Sequence, residues 1–247
     1  MINYPLSVFI LLSLSVFVAG VVRGYSGFGF AMIAAVTLSA GLSPREAVPI
    51  ILVLDIVTGI WLLPKAWRDV DLKSLSWLAA GAVVGIPVGV QLLSGIPVKP
   101  MRITISLVTM AAALMLWYGF SLKKMLRKPG TVATGLVSGI LTGSTTIGGP
   151  PVILFYLSSP TSAAVSRASL IAFFAGGDLF AFSISIFHGL VTTDILKTAA
   201  LFLIPLCAGL AVGSRFFVKS QMDARKKILI LLMVLSSAAL IRALIFG

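Results

Sequence analysis

The chain has 247 residues, of which 59% are hydrophobic and 11% charged, with a formal net charge of +12 and a mean hydropathy of +1.12. Soluble domains carry about 25% charged residues, so this composition excludes a soluble enzyme. No polar stretch is long enough to fold as a domain outside the membrane. The sequence therefore predicts an all-α polytopic membrane protein.

Apolar segments recur along the whole chain, and about 20 apolar residues cross a bilayer as one helix. In chain order we predict them at Leu6–Val22, Phe30–Leu42, Val48–Pro64, Ser74–Val98, Ile103–Leu122, Pro129–Ser166, Ala168–His188, Thr198–Ser214 and Ile228–Ile241. Two glycine-rich breaks interrupt them, at Gly24–Phe30 and within the long sixth segment at Gly143–Pro151. No basic stretch precedes the first segment, so we interpret it as retained rather than as a cleaved signal peptide.

The two halves of the chain resemble each other. Similar residues recur at offsets of 120 to 124 positions, and these pairs are Gly85 and Gly209, Gly89 and Gly213, Asp71 and Asp194, Arg102 and Arg225, and the two breaks. The common order of these matches predicts two repeats, residues 1–122 and 129–247, joined by a cytoplasmic linker at 123–128.

The positive charges indicate how the repeats are oriented. Lysines and arginines cluster at 65–73, 123–128 and 215–227, and such clusters stay on the cytoplasmic side of a membrane. If all three are inside, residues 129–158 must enter the membrane and return as a hairpin. The repeats are then inverted, each with one re-entrant helical hairpin and three transmembrane helices, and both termini lie outside. Inverted repeats with broken segments at matching positions are typical of secondary transporters.

The remaining composition argues against other partners. The basic residues lie in short clusters between apolar segments, so they encode topology rather than a nucleic-acid surface. The single cysteine, Cys207, cannot form a disulfide within the chain, and with the single histidine, His188, it offers little for a metal. We find no phosphate loop, zinc motif or catalytic set. We therefore expect no metal, no cofactor and no enzyme; the expected partners are the lipid bilayer and a small substrate, and a homo-oligomer stays open.

The glycine-rich break Gly24–Phe30, followed in the second half by Thr142–Pro151, resembles the signature of the TauE/SafE family of sulfite and organosulfur anion exporters. The chain length, two-half layout and short loops are also similar. The resemblance implies a secondary transporter that exports a small sulfur-containing or carboxylate anion, such as sulfite or a sulfonate, across a bacterial inner membrane. The alternatives are an anion channel, or a non-transporting membrane protein such as an assembly factor.

The breaks are the predicted substrate site. Unpaired backbone inside a membrane survives only where it is buried in protein or lines a wet cavity. Helix N-termini attract anions, hydroxyls donate hydrogen bonds, and glycine allows a ligand to approach the backbone. The predicted substrate-binding residues are Arg23, Tyr25, Ser26, Gly27, Gly29, Ser144, Thr145, Thr146, Gly148, Gly149 and Pro150. The alternative, that glycines only permit close helix packing, is the one we prefer for Gly85, Gly89, Gly209 and Gly213.

Charged residues inside apolar segments are functional candidates, because they are costly there. Asp55 and Asp178 lie in the segments that follow the two breaks, and we predict either proton coupling or a structural role for them. Arg23 either binds the anion through charge-assisted hydrogen bonds or reaches back to the interface. Arg45 and Arg167 each follow a hairpin and are candidate gates or interfacial residues. We interpret Arg242 as an interfacial anchor.

Overall fold

The computed structural model describes residues 5–26, 28–118, 128–216 and 222–246. Within these ranges the chain forms ten α-helices, one 3-10 turn at Trp67–Asp69 and no strand. The helices are α1 (Leu6–Ser26), α2 (Phe30–Gly41), α3 (Pro44–Ala66), α4 (Leu72–Gly95), α5 (Val98–Trp117), α6 (Lys128–Thr145), α7 (Gly149–Leu157), α8 (Ala163–Phe187), α9 (Thr193–Phe216) and α10 (Met222–Phe246).

The predicted all-helical membrane class is confirmed. In the described part of the chain, six segments are long and apolar enough to cross a membrane: Leu6–Tyr25, Pro44–Asp69, Leu72–Gly95, Val98–Trp117, Ala163–Phe187 and Thr193–Arg215. Large apolar side chains such as Leu11, Phe187 and Ile204 are exposed. Apolar exposure on this scale suits a lipid-facing surface rather than a water-facing one.

Both breaks are shorter than the sequence predicts. Helix α1 continues through Gly24 to Ser26, and α2 begins at Phe30. Helix α6 continues through Gly143 to Thr145, and α7 begins at Gly149. The reason is packing: a Cβ on Gly24 would lie 2.6 Å from the Leu210 carbonyl oxygen of α9, so this glycine serves a helix contact and not a break.

Two close helix pairs are built on glycines, which confirms the packing interpretation of the glycine pairs. Along α4 and α6, a Cβ on Gly85 would meet the backbone of Leu136, and one on Gly89 would meet that of Ile140. Along α1 and α9, a Cβ on Gly209 would meet the Phe17 carbonyl. The contacts advance in the same direction along both helices of each pair, so α4 lies parallel to α6 and α1 lies parallel to α9.

Each break turns the chain back on itself. Gly41, at the end of α2, lies beside Val8 and Leu12 near the start of α1, so α2 runs antiparallel to α1. In the second half, the Tyr156 hydroxyl at the end of α7 is 3.0 Å from the Ser74 hydroxyl in the first turn of α4. Because α4 is parallel to α6, this contact places the end of α7 on the side where α6 begins. Helix α7 therefore runs back along α6. We call α1–α2 the first hairpin and α6–α7 the second hairpin.

The other helices surround the hairpins. Helices α3 and α8 cross closely, since a Cβ on Gly59 would lie 2.9 Å from the Ala175 Cβ. Helix α10 packs on α5 and α2. The hairpins and α3 supply much of the buried apolar core, including Phe30, Ile33 and Leu54. The inverted relation of the halves and the boundaries at 122 and 129 stay predictions.

Candidate functional site

The two breaks meet at one small cavity in the middle of the protein. Its volume is about 20 Å³, which is enough for about one water molecule. Five helices and both breaks supply its lining, which consists of Arg23, Phe28, Gly29, Ala31, Met32, Asp55, Thr146, Ile147, Gly149, Ile153, Phe174 and Asp178. The cavity therefore collects three ionisable side chains from segments far apart in the sequence.

The backbone at each break adopts an unusual conformation. Gly29, which precedes α2, has φ 92°, and Thr146, after α6, has φ 63°. Positive φ suits glycine but is strained for a β-branched residue such as threonine. Among the described residues, Thr146 alone combines a side chain with a positive φ. Strain of this kind is found at functional sites, and here it lies in the cavity wall.

The two helices that begin at the breaks differ in the donors they present. The N-cap of α2, Gly29, gives no side-chain hydrogen bond to the first turn, so the early N–H groups of α2 have no partner within the helix. Helix α7 begins Gly149, Pro150, Pro151, and proline has no N–H group. The N-terminus of α2 is therefore the better anion donor of the two.

Arg23 is the central cation of the site. Its side chain is only 2% exposed, and its Nη2 atom lies 3.1 Å from Oδ1 of Asp55. Its guanidinium lies over the Phe174 ring, with Cζ 5.6 Å from the ring centroid, which is a favourable cation–π distance. Within the described structure, Nε and Nη2 of Arg23 make no hydrogen bond. Nη2 is therefore close enough to Asp55 for the two charges to attract, but neither nitrogen on this edge of the guanidinium donates a hydrogen bond.

Asp55 and Asp178 have different environments, although both are buried. Oδ1 of Asp55 faces Arg23 and also lies 2.9 Å from the Thr58 hydroxyl. In contrast, Oδ2 of Asp178 has no hydrogen-bond partner among the described residues. The Asp178 carboxylate is repelled by Asp55 and attracted by Arg23. Asp55 is therefore held in place by two partners, while Oδ2 of Asp178 is buried without a hydrogen bond among the described residues.

The predicted hydroxyl donors of the second break are already engaged. Ser144 donates to the Ile140 carbonyl at 2.7 Å, and Thr145 donates to the Leu141 carbonyl at 2.8 Å. The Thr146 hydroxyl lies 2.6 Å from the Thr145 carbonyl oxygen. A hydroxyl has one hydrogen to donate, so in this conformation these groups stabilise the end of α6. Of the three, Thr146 lines the cavity.

Of the other predicted binding residues, Gly29 and Gly149 line the cavity, whereas Tyr25, Gly148 and Pro150 do not belong to its lining. Gly148 accepts a hydrogen bond from the Ser138 hydroxyl at 2.5 Å, which fixes the second break to α6. Pro150 is buried at the start of α7, and Tyr25 is half-buried in the last turn of α1. Gly27 and the Ser26 side chain lie outside the described residues.

The two candidate gates occupy different positions. Arg45 is exposed at the start of α3, where its Nη2 lies 3.5 Å from the Ile96 carbonyl oxygen. Arg167 is half-buried in the second turn of α8 and is close enough to Arg23 for their charges to repel each other. Arg167, and not Arg45, therefore influences the central cluster.

Sequence reasoning missed Thr58, which contacts Asp55, and six residues of the cavity lining: Phe28, Ala31, Met32, Ile147, Ile153 and Phe174. Phe174 precedes Asp178 by four positions and Thr58 follows Asp55 by three, and residues at these spacings share a helix face. Helical periodicity around the two carboxylates could have identified both. The described residues contain no group of three histidine, cysteine or carboxylate side chains that could hold a metal.

These observations define the class: a polytopic helical membrane protein that encloses an arginine–carboxylate cluster between two broken helices. A family model described as "Sulfite exporter TauE/SafE" matches residues 12–240. The chain belongs to this family, and the resemblance predicted from the break motifs is confirmed. Its members are membrane transporters rather than enzymes. No curated protein and no solved structure matches the chain significantly.

Proposed function

We propose that this protein is a secondary transporter that exports a small sulfur-containing or carboxylate anion, with sulfite as the first candidate. The observation that supports this most directly is the buried Nε–Nη2 edge of Arg23, a residue of the cavity lining: neither nitrogen makes a hydrogen bond within the described structure, and Nη2 lies 3.1 Å from Oδ1 of Asp55 as an ion pair. Such an edge binds an oxyanion with two parallel charge-assisted hydrogen bonds. The early N–H groups of α2 supply further positive potential at the same place.

The size of the cavity supports a carrier rather than a channel. A space of about 20 Å³ holds one water molecule, whereas sulfite has four heavy atoms. An anion therefore enters only when the helices around the breaks move apart, as alternating access requires. An open pore for anions would instead need a continuous wide path lined by polar groups.

We assign the two carboxylates different roles. Asp55 balances the charge of Arg23 in the absence of substrate and yields that position when the anion binds. Asp178 changes its protonation with the charge of the cavity occupant, because an unpaired buried charge is costly. A proton on Asp178 would then accompany one step of the transport cycle.

The basic clusters support a proposed orientation of the protein in the membrane. With 65–73 and 123–128 inside, α6 and α8 begin at the cytoplasmic side, and Arg167 lies between that side and Arg23. Arg167 would then attract anions from the cytoplasm, while Arg45 lies at the outer face. The parallel pairs α4–α6 and α1–α9 and the two returning hairpins support inverted repeats at 1–122 and 129–247, with both termini outside an inner membrane. The membrane potential drives an anion outward by about 2.3 kcal/mol per charge per 100 mV.

The test is charge movement in liposomes that contain the purified protein. Rapid addition of sulfite, sulfate, small sulfonates and small carboxylates, each at two pH values, should give a saturable signal for one anion class. Arg23→Gln should lower transport about 100-fold or more, because two charge-assisted hydrogen bonds are lost. Arg23→Lys, which keeps the charge but not the planar edge, should fall in between.

The matched control is Lys99→Gln, which removes one exposed positive charge far from the cavity. Because Arg23→Gln leaves Asp55 unpaired, the double variant Arg23→Gln/Asp55→Asn removes both charges together. Full transport by that double variant would contradict the role of Arg23. The absence of any signal from folded, inserted wild-type protein would favour the non-transporting alternative, and a signal without counterflow would favour a channel.

A further inference from the structure

A second cavity lies between α2, α5 and α10, away from the central site. Its volume is about 60 Å³, roughly three times that of the central cavity. Arg102 of α5 and Arg242 of α10 both line it, together with the Ser39 and Ser106 hydroxyls. No carboxylate belongs to its described lining.

The two arginines are close enough for their positive charges to repel each other. One of them has a structural partner, since Nη2 of Arg102 donates to the Leu42 carbonyl at 3.2 Å. That bond accounts for one nitrogen of Arg102 and for none of Arg242. Bringing two cations to one cavity without a carboxylate raises the energy of the protein unless an anion joins them.

Unsatisfied donors point to the same conclusion. The Ser39 hydroxyl, in a residue only 3% exposed, has no hydrogen-bond partner among the described residues, and the buried Nε of Arg102 has none either. Buried polar groups in folded proteins are normally hydrogen-bonded. Here both unsatisfied donors belong to residues that line one cavity, and a third lining residue, Arg242, is exposed.

We propose that this cavity is a second anion-binding site, which holds one small oxyanion group between Arg102, Arg242 and Ser39. The volume is sufficient for a group of a few heavy atoms, because one water needs about 10–15 Å³ on the same measure. The oxyanion is either a soluble ion of the transported class or the phosphate of a lipid headgroup. Under this proposal Arg242, which the sequence predicts to be an interfacial anchor, also binds a ligand.

Helix α2 connects this site with the central one. Ala31 and Met32 in its first turn line the central cavity, and Ser39 in its last turn lines the second. The distance from Met32 to Ser39 along the helix is about 10 Å at 1.5 Å per residue. An anion at the second site therefore holds the far end of the helix whose N-terminus faces Arg23. This site goes beyond the proposed transport function and does not depend on it.

The experiment uses the thermal stability of the full-length protein in detergent, with sulfate as the probe and chloride at equal ionic strength as the blank. The background is Arg23→Gln/Asp55→Asn, in which the central site is removed. Sulfate should still stabilise this protein. Adding Arg242→Gln should weaken the apparent affinity about tenfold or more, because a charge-assisted hydrogen bond is lost, and Ser39→Ala should weaken it by about fivefold. Lys99→Gln, on the same helix as Arg102, should change nothing.

A second arm replaces sulfate with phosphatidylglycerol in mixed micelles. Stabilisation by sulfate in the absence of lipid would assign a soluble anion to the site. Stabilisation by phosphatidylglycerol alone, lost in Arg242→Gln, would assign a lipid phosphate. If neither probe stabilises the protein, or if Arg242→Gln responds like its parent, the site does not exist. Should the double background fail to fold, isothermal titration of wild-type protein with sulfate should show one binding site fewer in Arg242→Gln.

Discussion

The first and second hairpins have the same form and carry different chemistry. Each one turns back at a short break, each packs its first helix on a glycine-rich partner in parallel, and each break contributes to the central cavity. The first hairpin brings a buried arginine and a helix start with free N–H groups. The second has no charged residue between 129 and 166, and its break hydroxyls donate to its own backbone. The first hairpin thus supplies charge to the site, and the second hairpin supplies part of its wall.

The difference has a physical reason. A buried arginine needs a counter-charge, and α3, which directly follows the first hairpin, supplies Asp55. The residue that lies 123 positions later, Asp178 on α8, faces the same cavity without an arginine from the second hairpin. One carboxylate is therefore paired and the other is left with an unsatisfied oxygen. The two carboxylates of one cavity therefore differ in their partners, and the different roles that we propose for them rest on this difference.

The largest expected effect tests the charge on the first hairpin. Asp55→Asn should lower the free energy of unfolding by about 3–5 kcal/mol, because it leaves Arg23 buried without its counter-charge. SDS-unfolding titrations of the solubilised protein measure this change. Adding Arg23→Gln should restore much of the loss. An Asp55→Asn protein as stable as wild type would show that the ion pair does not hold the first hairpin.

The glycine contacts test what the two hairpins share. Gly85→Val and Gly209→Val should each destabilise the protein by about 3 kcal/mol, because the new side chain meets backbone of α6 or of α1 and overpacking costs up to this amount. Gly176→Val is the matched control, since no atom lies within 4 Å of a Cβ there. The yield of monodisperse protein and its thermal midpoint report the effect. A large loss at one contact only would mean that the two hairpins are not held alike.

Asp178→Asn tests the unpaired carboxylate, and here we expect a change in transport with little change in stability. No hydrogen bond to Oδ2 is lost, so the unfolding free energy should stay within about 1 kcal/mol of wild type. The dependence of charge movement on pH should disappear. Glu at this position, which still titrates, should keep a pH-dependent signal. An unchanged pH profile in Asp178→Asn would remove the proton from the proposed mechanism.

The smallest expected effect concerns the far end of the second hairpin. Asp71 caps α4 by accepting hydrogen bonds from the Lys73 and Ser74 N–H groups, and Ser74 in turn contacts Tyr156 of α7. Asp71→Ala should cost about 1 kcal/mol, a usual value for an N-cap. The hydrogen bond from the Ser74 hydroxyl lowers the pKa of Asp71 below its ordinary value of 3.8. The cap therefore contributes its full stability at pH values above 3.8, and this contribution is lost as the pH falls through the lowered pKa of Asp71. A free energy of unfolding that does not change with pH in this acidic range would contradict the role of the cap.

The sequence predicted a good deal of this protein. The apolar segments, the returning second hairpin, the packing role of Gly85 and Gly209, and the choice of Arg23, Asp55 and Asp178 as charged residues inside apolar segments all followed from hydropathy, charge and spacing. These are local signals, because an apolar segment is costly in water and a charged side chain is costly in lipid wherever they lie in the fold. The break motifs also sufficed to identify the family.

Tertiary structure decided the rest. Whether Gly24 opens a break or packs a helix depends on α9, which is almost 190 positions away. Arg102 and Arg242 lie 140 positions apart and meet only because α5 and α10 pack together around the end of α2. The sequence determines whether each residue prefers water or lipid. Helix packing determines which distant side chains meet, and both cavities are lined by side chains that meet in this way.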